Sequence, residues 1–133
     1  MKNILVLVVD DNENVLGTTL SVLRSPLAER TIGKVGCDSC HGGQEAIEYL
    51  QGPKGRSVDV LVLDREMPRA DGYAVAKIAK SLFPNVPIIM TTGSPEADWA
   101  IKMEEYGLNA YMAKPYAAMA LIDAVKQCIS FPV

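Results

Sequence analysis

Short apolar runs alternate along this chain with longer stretches in which apolar residues recur every three or four positions. The runs predict five strands, at Ile4–Val9, Lys34–Ser39, Val58–Leu63, Pro87–Met90 and Ala110–Ala113. The first and third are continuous in Val, Leu and Ile, which is typical of parallel strands covered on both faces. Strict alternation of strand and helix implies right-handed crossovers. We therefore expect one α/β domain with a five-stranded parallel sheet and helices on both faces.

Helical spacing lies between these runs. It is clearest in the third predicted helix, where the apolar residues are Val75, Ile78, Ala79 and Leu82, and it recurs in the first and last helices. Side chains that cap helices predict where three of them begin: Asn12 or Asn14, Asp71, and Ser94 followed by Pro95. Residues 25–36 are the least regular part, and we interpret Pro26 as the end of the first helix.

Composition narrows the class of protein. In 133 residues, 49% are hydrophobic and 22% are charged, which favours one packed globule. The net charge of −3 comes with no basic run, so we expect no nucleic-acid binding by this chain alone. The run Ile4–Val9 is too short to cross a membrane. Three cysteines, an odd and small number, fit a reducing compartment, and we expect a cytoplasmic protein without membrane contact.

Polar residues follow the ends of four predicted strands. These are Asp10 and Asp11, Asp64, Thr92, and Lys114. The carboxyl ends of parallel strands meet at one edge of the sheet, where ligands bind in open α/β folds. Three carboxylates and an ammonium group at that edge suggest a divalent metal beside a phosphoryl group.

These residues carry a resemblance that covers nearly the whole chain. The matching segments are Val9-Asp10-Asp11, Gly43-Gln44-Glu45-Ala46, Asp64-Arg65-Glu66-Met67-Pro68 with Asp71-Gly72, Thr92-Gly93, and Tyr111-Met112-Ala113-Lys114-Pro115. In this order they resemble the receiver domains of bacterial two-component response regulators. The resemblance implies a flavodoxin-like (βα)5 fold with strand order 2-1-3-4-5. It also implies a single receiver domain over residues 1–133 without an output domain.

The resemblance implies a role for each reactive group. Asp64 would accept a phosphoryl group from a sensor histidine kinase or a phosphotransfer protein. Mg²⁺ would bind Asp10, Asp11, Asp64 and the backbone carbonyl of Glu66. Lys114 would pair with Asp64 at rest and with a phosphoryl oxygen afterwards. The chain would promote only its own phosphorylation and dephosphorylation, so we do not expect an enzyme.

The resemblance also implies a conformational switch. The hydroxyl of Thr92, which we count with Asp64 and Lys114 in the reactive site, would move towards the phosphoryl group. The ring of Tyr111 would then fill the vacated space. The Lys114–Pro115 bond resembles a cis peptide of the family. Glu66 and Ser94 occupy positions that influence phosphorylation rates in the family.

Alternatives remain at this stage. Adjacent aspartates also occur in solvated turns and at helix starts, and a receiver that cannot be phosphorylated would still signal by binding. The run Cys37-Asp38-Ser39-Cys40-His41 matches the C-x-x-C-H pattern of c-type haem attachment, but no export signal precedes it. Zinc would lack a fourth ligand. A phosphotransferase of the haloacid dehalogenase type needs D-x-D after the first strand, and position 12 is Asn.

The fourth predicted helix carries two apolar stripes. Ala97, Ala100 and Ile101 form the stripe that we expect in the core, and Trp99, Met103 and Tyr106 form a second on another face. The second stripe either packs against the fifth strand or is exposed. Our hypothesis is a partner or homodimer surface on the face from the fourth to the fifth predicted helix.

Overall fold

The computed structural model describes residues 3–130, which form a three-layer α/β domain. Its strands are β1 (Ile4–Val9), β2 (Val35–Cys40), β3 (Val60–Asp64), β4 (Ile88–Thr92) and β5 (Ala110–Ala113). Its helices are α1 (Glu13–Leu23), α2 (Pro26–Ile32), α3 (Gly43–Gln51), α4 (Gly72–Leu82), α5 (Trp99–Tyr106) and α6 (Ala118–Ser130), with a 3₁₀ turn at Gly55–Ser57. All neighbouring strands are parallel, in the order β2-β1-β3-β4-β5. The predicted fold class and strand order are confirmed.

Both faces of the sheet are buried, as the continuous apolar strands predict. Leu7 and Val9 of β1 belong to the core beneath α3 and α4, while Val6 and Val8 belong to the core beneath α1 and α6. All four side chains are at most 2% exposed. Successive residues of a strand point to opposite faces, so apolar residues are needed at every position.

Strand register places the polar residues of the strand ends side by side. Val9 pairs with Leu63, Asp64 pairs with Thr91, and Thr92 pairs with Ala113. The residues that follow β1 and β5 therefore lie along the same edge as the end of β3.

Helices α1 and α4 begin at two of the predicted caps. Asn12 accepts hydrogen bonds from the amides of Asn14 (3.0 Å) and Val15 (3.1 Å), and Asp71 accepts one from Ala74 (2.9 Å). Gly72, the first residue of α4, is needed because the helix starts so close to β3. A Cβ there would lie 2.6 Å from the carbonyl oxygen of Asp64.

Three predicted strands, β2, β3 and β4, differ from the structure by one or two residues at each end. A larger difference is α2, which lies in the segment predicted to be irregular. Ser25 caps this helix through a bond from the amide of Ala28 (3.2 Å), and Pro26 is its first residue. Proline suits the first helical turn because that turn needs no amide donor. Our interpretation of Pro26 as a terminator alone was wrong, and the fourth and fifth predicted helices are α5 and α6.

Helix α5 begins later than predicted, and the face that it buries is not the predicted one. Its first residue is Trp99, and Ser94 caps no helix. Ala97, Ala100 and Ile101 are exposed, whereas Met103 and Tyr106 pack against the core. The expected core stripe was therefore wrong: because the helix starts four residues later, at Trp99 instead of Pro95, contacts of its C-terminal half decide which face is buried. Trp99 is 47% exposed, so part of the second stripe faces solvent.

Two further expectations, on membrane contact and on the domain limits, can be compared with the structure only within the described residues. No helix within residues 3–130 is both long and apolar enough to cross a membrane. The predicted domain limits, 1–133, include residues 1–2 and 131–133, which lie outside the described residues.

Candidate functional site

Three carboxylates meet at the carboxyl edge of the sheet. Asp10 and Asp11 follow β1 directly, and Asp64 is the last residue of β3. One oxygen from each lies within 4.8 Å of the others. Asp10 and Asp64 are each only 3% exposed, while Asp11 is exposed. The cluster is therefore a buried pair of acids with a third at its mouth.

Lys114, the residue after β5, neutralises part of this charge. Its Nζ donates to Asp10 Oδ2 at 2.9 Å and to Asp64 Oδ1 at 3.0 Å. The Lys114–Pro115 peptide bond is cis, as the resemblance implied. The contact with Asp64 is the resting pair that we expected, whereas the role of these groups in phosphoryl transfer stays a prediction.

Burial and neighbouring charges oppose one another at this site. Burial raises the pKa of Asp64 to about 6, and the charge of Asp10 adds to the effect, although the bond from Lys114 lowers it. Burial alone would lower the pKa of Lys114, but its bonds to Asp10 and Asp64 outweigh this and raise it. The ammonium group thus stays charged, and it relieves only part of the repulsion between the carboxylates.

The donor set fits a hard divalent cation. Three carboxylates and one ammonium group leave a formal surplus of two negative charges. All the available side-chain ligands are oxygens, which Mg²⁺ prefers, and the exposed Asp11 leaves room for the waters that Mg²⁺ retains. Asp10 is oriented by the amide of Asn12, which donates to its Oδ1 at 2.9 Å.

The side chain of Glu66 is not part of this cluster. Its Oε2 accepts the hydroxyl proton of Thr92, and its Oε1 accepts from the amide of Gly93 at 3.1 Å. Burial raises the pKa of Glu66, but bonds from Thr92, Gly93 and Arg65 outweigh it and lower the pKa below its usual value. Ligation by the Glu66 backbone carbonyl stays a prediction. Thr92 is buried, and in this state its hydroxyl faces Glu66 and not Asp64.

Tyr111 lies half-buried on β5 and packs against the core beneath α3 and α4. Its hydroxyl donates to Glu96 Oε1 at 3.3 Å and lies 3.4 Å from the hydroxyl of Tyr73. Glu96 also accepts from Tyr73 and from Arg65. Sequence reasoning missed Arg65, Tyr73 and Glu96. An arginine between two acids in Asp64-Arg65-Glu66 was the only available signal.

Two alternatives lose their basis. Cys37 packs on the face of the sheet that carries α1 and α6, whereas Cys40 is buried on the opposite face. Two thiols on opposite faces of one strand cannot both join one haem or one zinc ion. Burial also raises the pKa of Cys40 to about 12, which disfavours the thiolate that ligates metals.

Comparisons with known proteins agree with one another. The sequence model of the response regulator receiver domain matches residues 6–126. The chain is 32% identical to the DNA-binding transcriptional regulator NtrC of Proteus hauseri over 98 residues, which is 71% of this chain and 20% of that protein. It is 30% identical to the response regulator UvrY of Escherichia coli O6:H1 over 126 residues, 94% of this chain and 54% of that protein. The chain thus spans about a fifth to a half of these relatives.

A solved receiver-domain structure from Clostridium thermocellum superposes with a TM-score of 0.83. That match is 24% identical and covers 96% of this chain and 94% of the other. It shows that the two chains share a fold.

Proposed function

The chain belongs to the response regulator receiver domain family, and from that premise we propose that it accepts a phosphoryl group on Asp64 in a Mg²⁺-dependent reaction. One observation carries the proposal. Lys114 bridges the buried carboxylates of Asp10 and Asp64 beside the exposed Asp11, in a site whose negative charge is only partly neutralised. This arrangement combines a nucleophile, a cation and a metal-binding acid pair.

One carboxylate oxygen of Asp64 accepts hydrogen bonds, and the other is available to attack a phosphoryl group. Oδ1 accepts from Lys114 and from the amide of Glu66 at 3.3 Å, so Oδ2 is the nucleophile. With a phosphohistidine donor, Oδ2 forms the new P–O bond as the P–N bond breaks. The electron pair of the P–N bond stays on the imidazole nitrogen, which takes a proton from solvent. Mg²⁺ held by Asp10, Asp11 and Asp64 would offset the repulsion between the carboxylate and the phosphoryl oxygens.

Lys114 serves both states of the site. At rest it holds Asp10 and Asp64 in place, with 19% of its side chain exposed. Burial lowers its pKa, but the bonds to these two partners outweigh burial and raise it, so Lys114 is an ammonium group at rest. After transfer it turns from Oδ1 to a phosphoryl oxygen and stabilises the charge that spreads there.

The switch runs through Thr92 and Tyr111. A phosphoryl group on Asp64 offers the Thr92 hydroxyl a stronger anionic acceptor than any group in the resting pocket. When the hydroxyl turns towards it, the ring of Tyr111 and the segment before α5 rearrange. The domain then presents a different surface to its partner or to a second copy.

The partners follow from the family. Receiver domains of two-component systems interact with histidine kinases or phosphotransfer proteins, and we propose one of these as the phosphoryl donor. NtrC is named as a DNA-binding regulator, but because this domain has a net charge of −3 and no basic run, we propose that it does not itself bind DNA. We propose that it acts in the cytoplasm and catalyses nothing beyond its own phosphorylation and dephosphorylation.

The first test is the intact mass after incubation with acetyl phosphate and Mg²⁺. We expect one added phosphoryl group in the wild type and none in Asp64→Asn or when EDTA replaces Mg²⁺. Asp123→Asn is the matched control, because Asp123 is an exposed acid on α6 that lies beside Asn109 and Ala110, at the start of β5, whereas the site lies at the ends of the strands. No adduct in the wild type, under conditions that modify a known receiver, would favour a domain that signals by binding alone.

A further inference from the structure

Arg65, next to the proposed phosphoacceptor, ties two chain segments together. Its Nη1 donates to Glu96 Oε1 at 2.7 Å and its Nη2 to the carbonyl of Ser94 at 3.0 Å. Its Nε donates to Glu66 Oε2 at 2.9 Å and to Thr92 Oγ1 at 3.2 Å. Only 19% of this side chain is exposed. One guanidinium group thus fixes residues 93–98, between β4 and α5, to the end of β3.

The Thr92 hydroxyl already makes all the hydrogen bonds that it can make. Its oxygen accepts from the amide of Ser94 at 3.0 Å and from Arg65, and its single proton is donated to Glu66. A hydroxyl has one proton and two lone pairs, so all three are engaged. Thr92 cannot donate to a phosphoryl group on Asp64 unless it first leaves Glu66.

The Glu66 carboxylate would compete with a phosphoryl group on Asp64 for the same hydrogen-bond donors. A carboxylate and a phosphoryl group are both anionic oxygen acceptors. Glu66 accepts hydrogen bonds from the Thr92 hydroxyl and the Gly93 amide, at the end of β4. Its backbone amide donates to Asp64 Oδ1 at 3.3 Å, so a phosphoryl group with a charge of about −2 would form next to this residue and repel its carboxylate.

The same contacts reach helix α5. Glu96 binds the hydroxyls of Tyr73 and Tyr111 as well as Arg65. The ring of Tyr73 stacks on that of Tyr106 in α5, with the centroids 4.3 Å apart. A change at Glu66 is therefore linked to Tyr111 and to α5 through groups in direct contact.

We propose that Arg65, Glu66 and Glu96 form a latch that holds Thr92 and residues 93–98 in the resting arrangement, and that phosphorylation of Asp64 opens it. The inference rests on the proposed function. The incoming phosphoryl group repels Glu66 and replaces it as the acceptor of the hydrogen bond from the Thr92 hydroxyl, and the guanidinium group then loses one of its two carboxylate partners. Arg65 and Glu96 are positioning residues, because they act on Thr92 and on the segment after it. Because the latch must open first, it raises the concentration of a phosphoryl mimic that is needed to switch the domain.

The test measures how readily the switch responds to a phosphoryl mimic. Beryllium fluoride with Mg²⁺ is titrated into the full chain, and the fluorescence of Trp99 is recorded. Trp99 is the only tryptophan of the chain, is 47% exposed and begins α5 directly after the latched segment. The variants are Glu66→Ala, which frees Thr92, and Glu96→Gln, which weakens the bond to Arg65. Glu104→Ala, an exposed acid on α5, is the matched control.

We expect the half-saturating concentration of beryllium fluoride to fall about tenfold in Glu66→Ala. A tenfold change is at the low end of what the loss of a charge-assisted hydrogen bond produces. We expect the low end because the Glu66 side chain is 42% exposed and solvent screens its charge. Glu96→Gln should lower the concentration less, and Glu104→Ala should leave it unchanged. In ¹⁵N spectra without ligand, the Gly93 and Ser94 amides of Glu66→Ala should shift towards their positions in the liganded wild type.

Three outcomes are informative. A lower half-saturating concentration together with shifted amide resonances supports the latch. A wild-type response that Glu66→Ala and Glu96→Gln leave unchanged overturns the latch and leaves the proposed function intact. A wild type that responds to neither beryllium fluoride nor acetyl phosphate overturns both.

Discussion

Replacing Asp64 by Asn removes a buried negative charge from a site that has too many, and we expect the metal-free domain to become more stable. Asp10 and Asp64 are both 3% exposed and share one ammonium group, Lys114. An Asn amide keeps an oxygen that accepts from Lys114 while it removes the repulsion with Asp10. On this prediction the wild type is less stable because it keeps a carboxylate at position 64, a trade that is common at functional sites.

The magnitude follows from proton linkage. Burial, with the charge of Asp10, raises the pKa of Asp64 from 3.8 in the unfolded chain to about 6 in the folded one. The folded state therefore holds this proton more tightly, and stability is lost as pH rises from about 4 through about 6 and then levels off. Each tenfold change in proton affinity is worth about 1.4 kcal/mol, so the full loss is at most about 3 kcal/mol. Asn does not titrate, so Asp64→Asn does not lose this stability as the pH rises.

The assay is urea unfolding followed by circular dichroism in EDTA, at pH 4 and at pH 7.5. We expect Asp64→Asn to exceed the wild type by about 2 kcal/mol at pH 7.5 and by much less at pH 4. Asp123→Asn, at an exposed position on α6, should stay within about 0.5 kcal/mol of the wild type at both pH values. Equal stabilities of Asp64→Asn and the wild type at pH 7.5, or a difference independent of pH, would refute the reasoning.

Three further predictions concern the same edge of the sheet. Mg²⁺ at about 100 times its dissociation constant should stabilise the wild type by about 2.7 kcal/mol in urea unfolding and Asp64→Asn by less, because one ligand is lost; equal gains would argue against Asp64 as a ligand. Lys114→Met should cost about 3 kcal/mol in EDTA at pH 7.5 because it leaves two buried carboxylates without a cation, and a loss that does not shrink at pH 5 would contradict this. Gly72→Ala should cost about 1–3 kcal/mol in the same assay, since its Cβ would lie 2.6 Å from the Asp64 carbonyl oxygen, whereas Gly17→Ala, with nothing within 4 Å, should be neutral or stabilising.

The residues at the strand ends could be predicted from sequence because parallel topology determines where they meet. Once five buried strands alternate with helices, the residue after each strand lies at the same edge. The register of Val9 with Leu63 then brings Asp10 next to Asp64, and Lys114 reaches both from β5. No contact had to be known in advance, so the acidic cluster and its lysine could be identified from position alone.

The errors share a different origin, because they depend on contacts that local sequence does not encode. Pro26 looks the same whether it ends one helix or begins the next, and the hydrogen bond to Ser25 decides. The environment of Glu66 was equally hidden, because Thr92 and Gly93, at and after the end of β4, lie more than twenty residues away along the chain. A periodic pattern shows which face is apolar, but it does not show which distant polar group competes for a side chain.

The predicted start of α5 at Ser94 gives a last prediction about the switch. Ser94, Pro95 and Glu96 are a strong local signal for a helix start, since they offer a cap, a proline at the first position and an acid in the first turn. In the structure Arg65 holds the Ser94 carbonyl and the Glu96 carboxylate instead, and the helix begins at Trp99. If this contact is what suppresses the local preference, residues 95–98 should become helical when the latch opens. Cα chemical shifts of the chain with beryllium fluoride and Mg²⁺, and of Arg65→Ala without them, should move towards helical values there, because Arg65→Ala removes both contacts. Shifts that stay non-helical while the Gly93 amide moves would mean that the segment is released without folding, and that the signal at Ser94 has no structural consequence in either state.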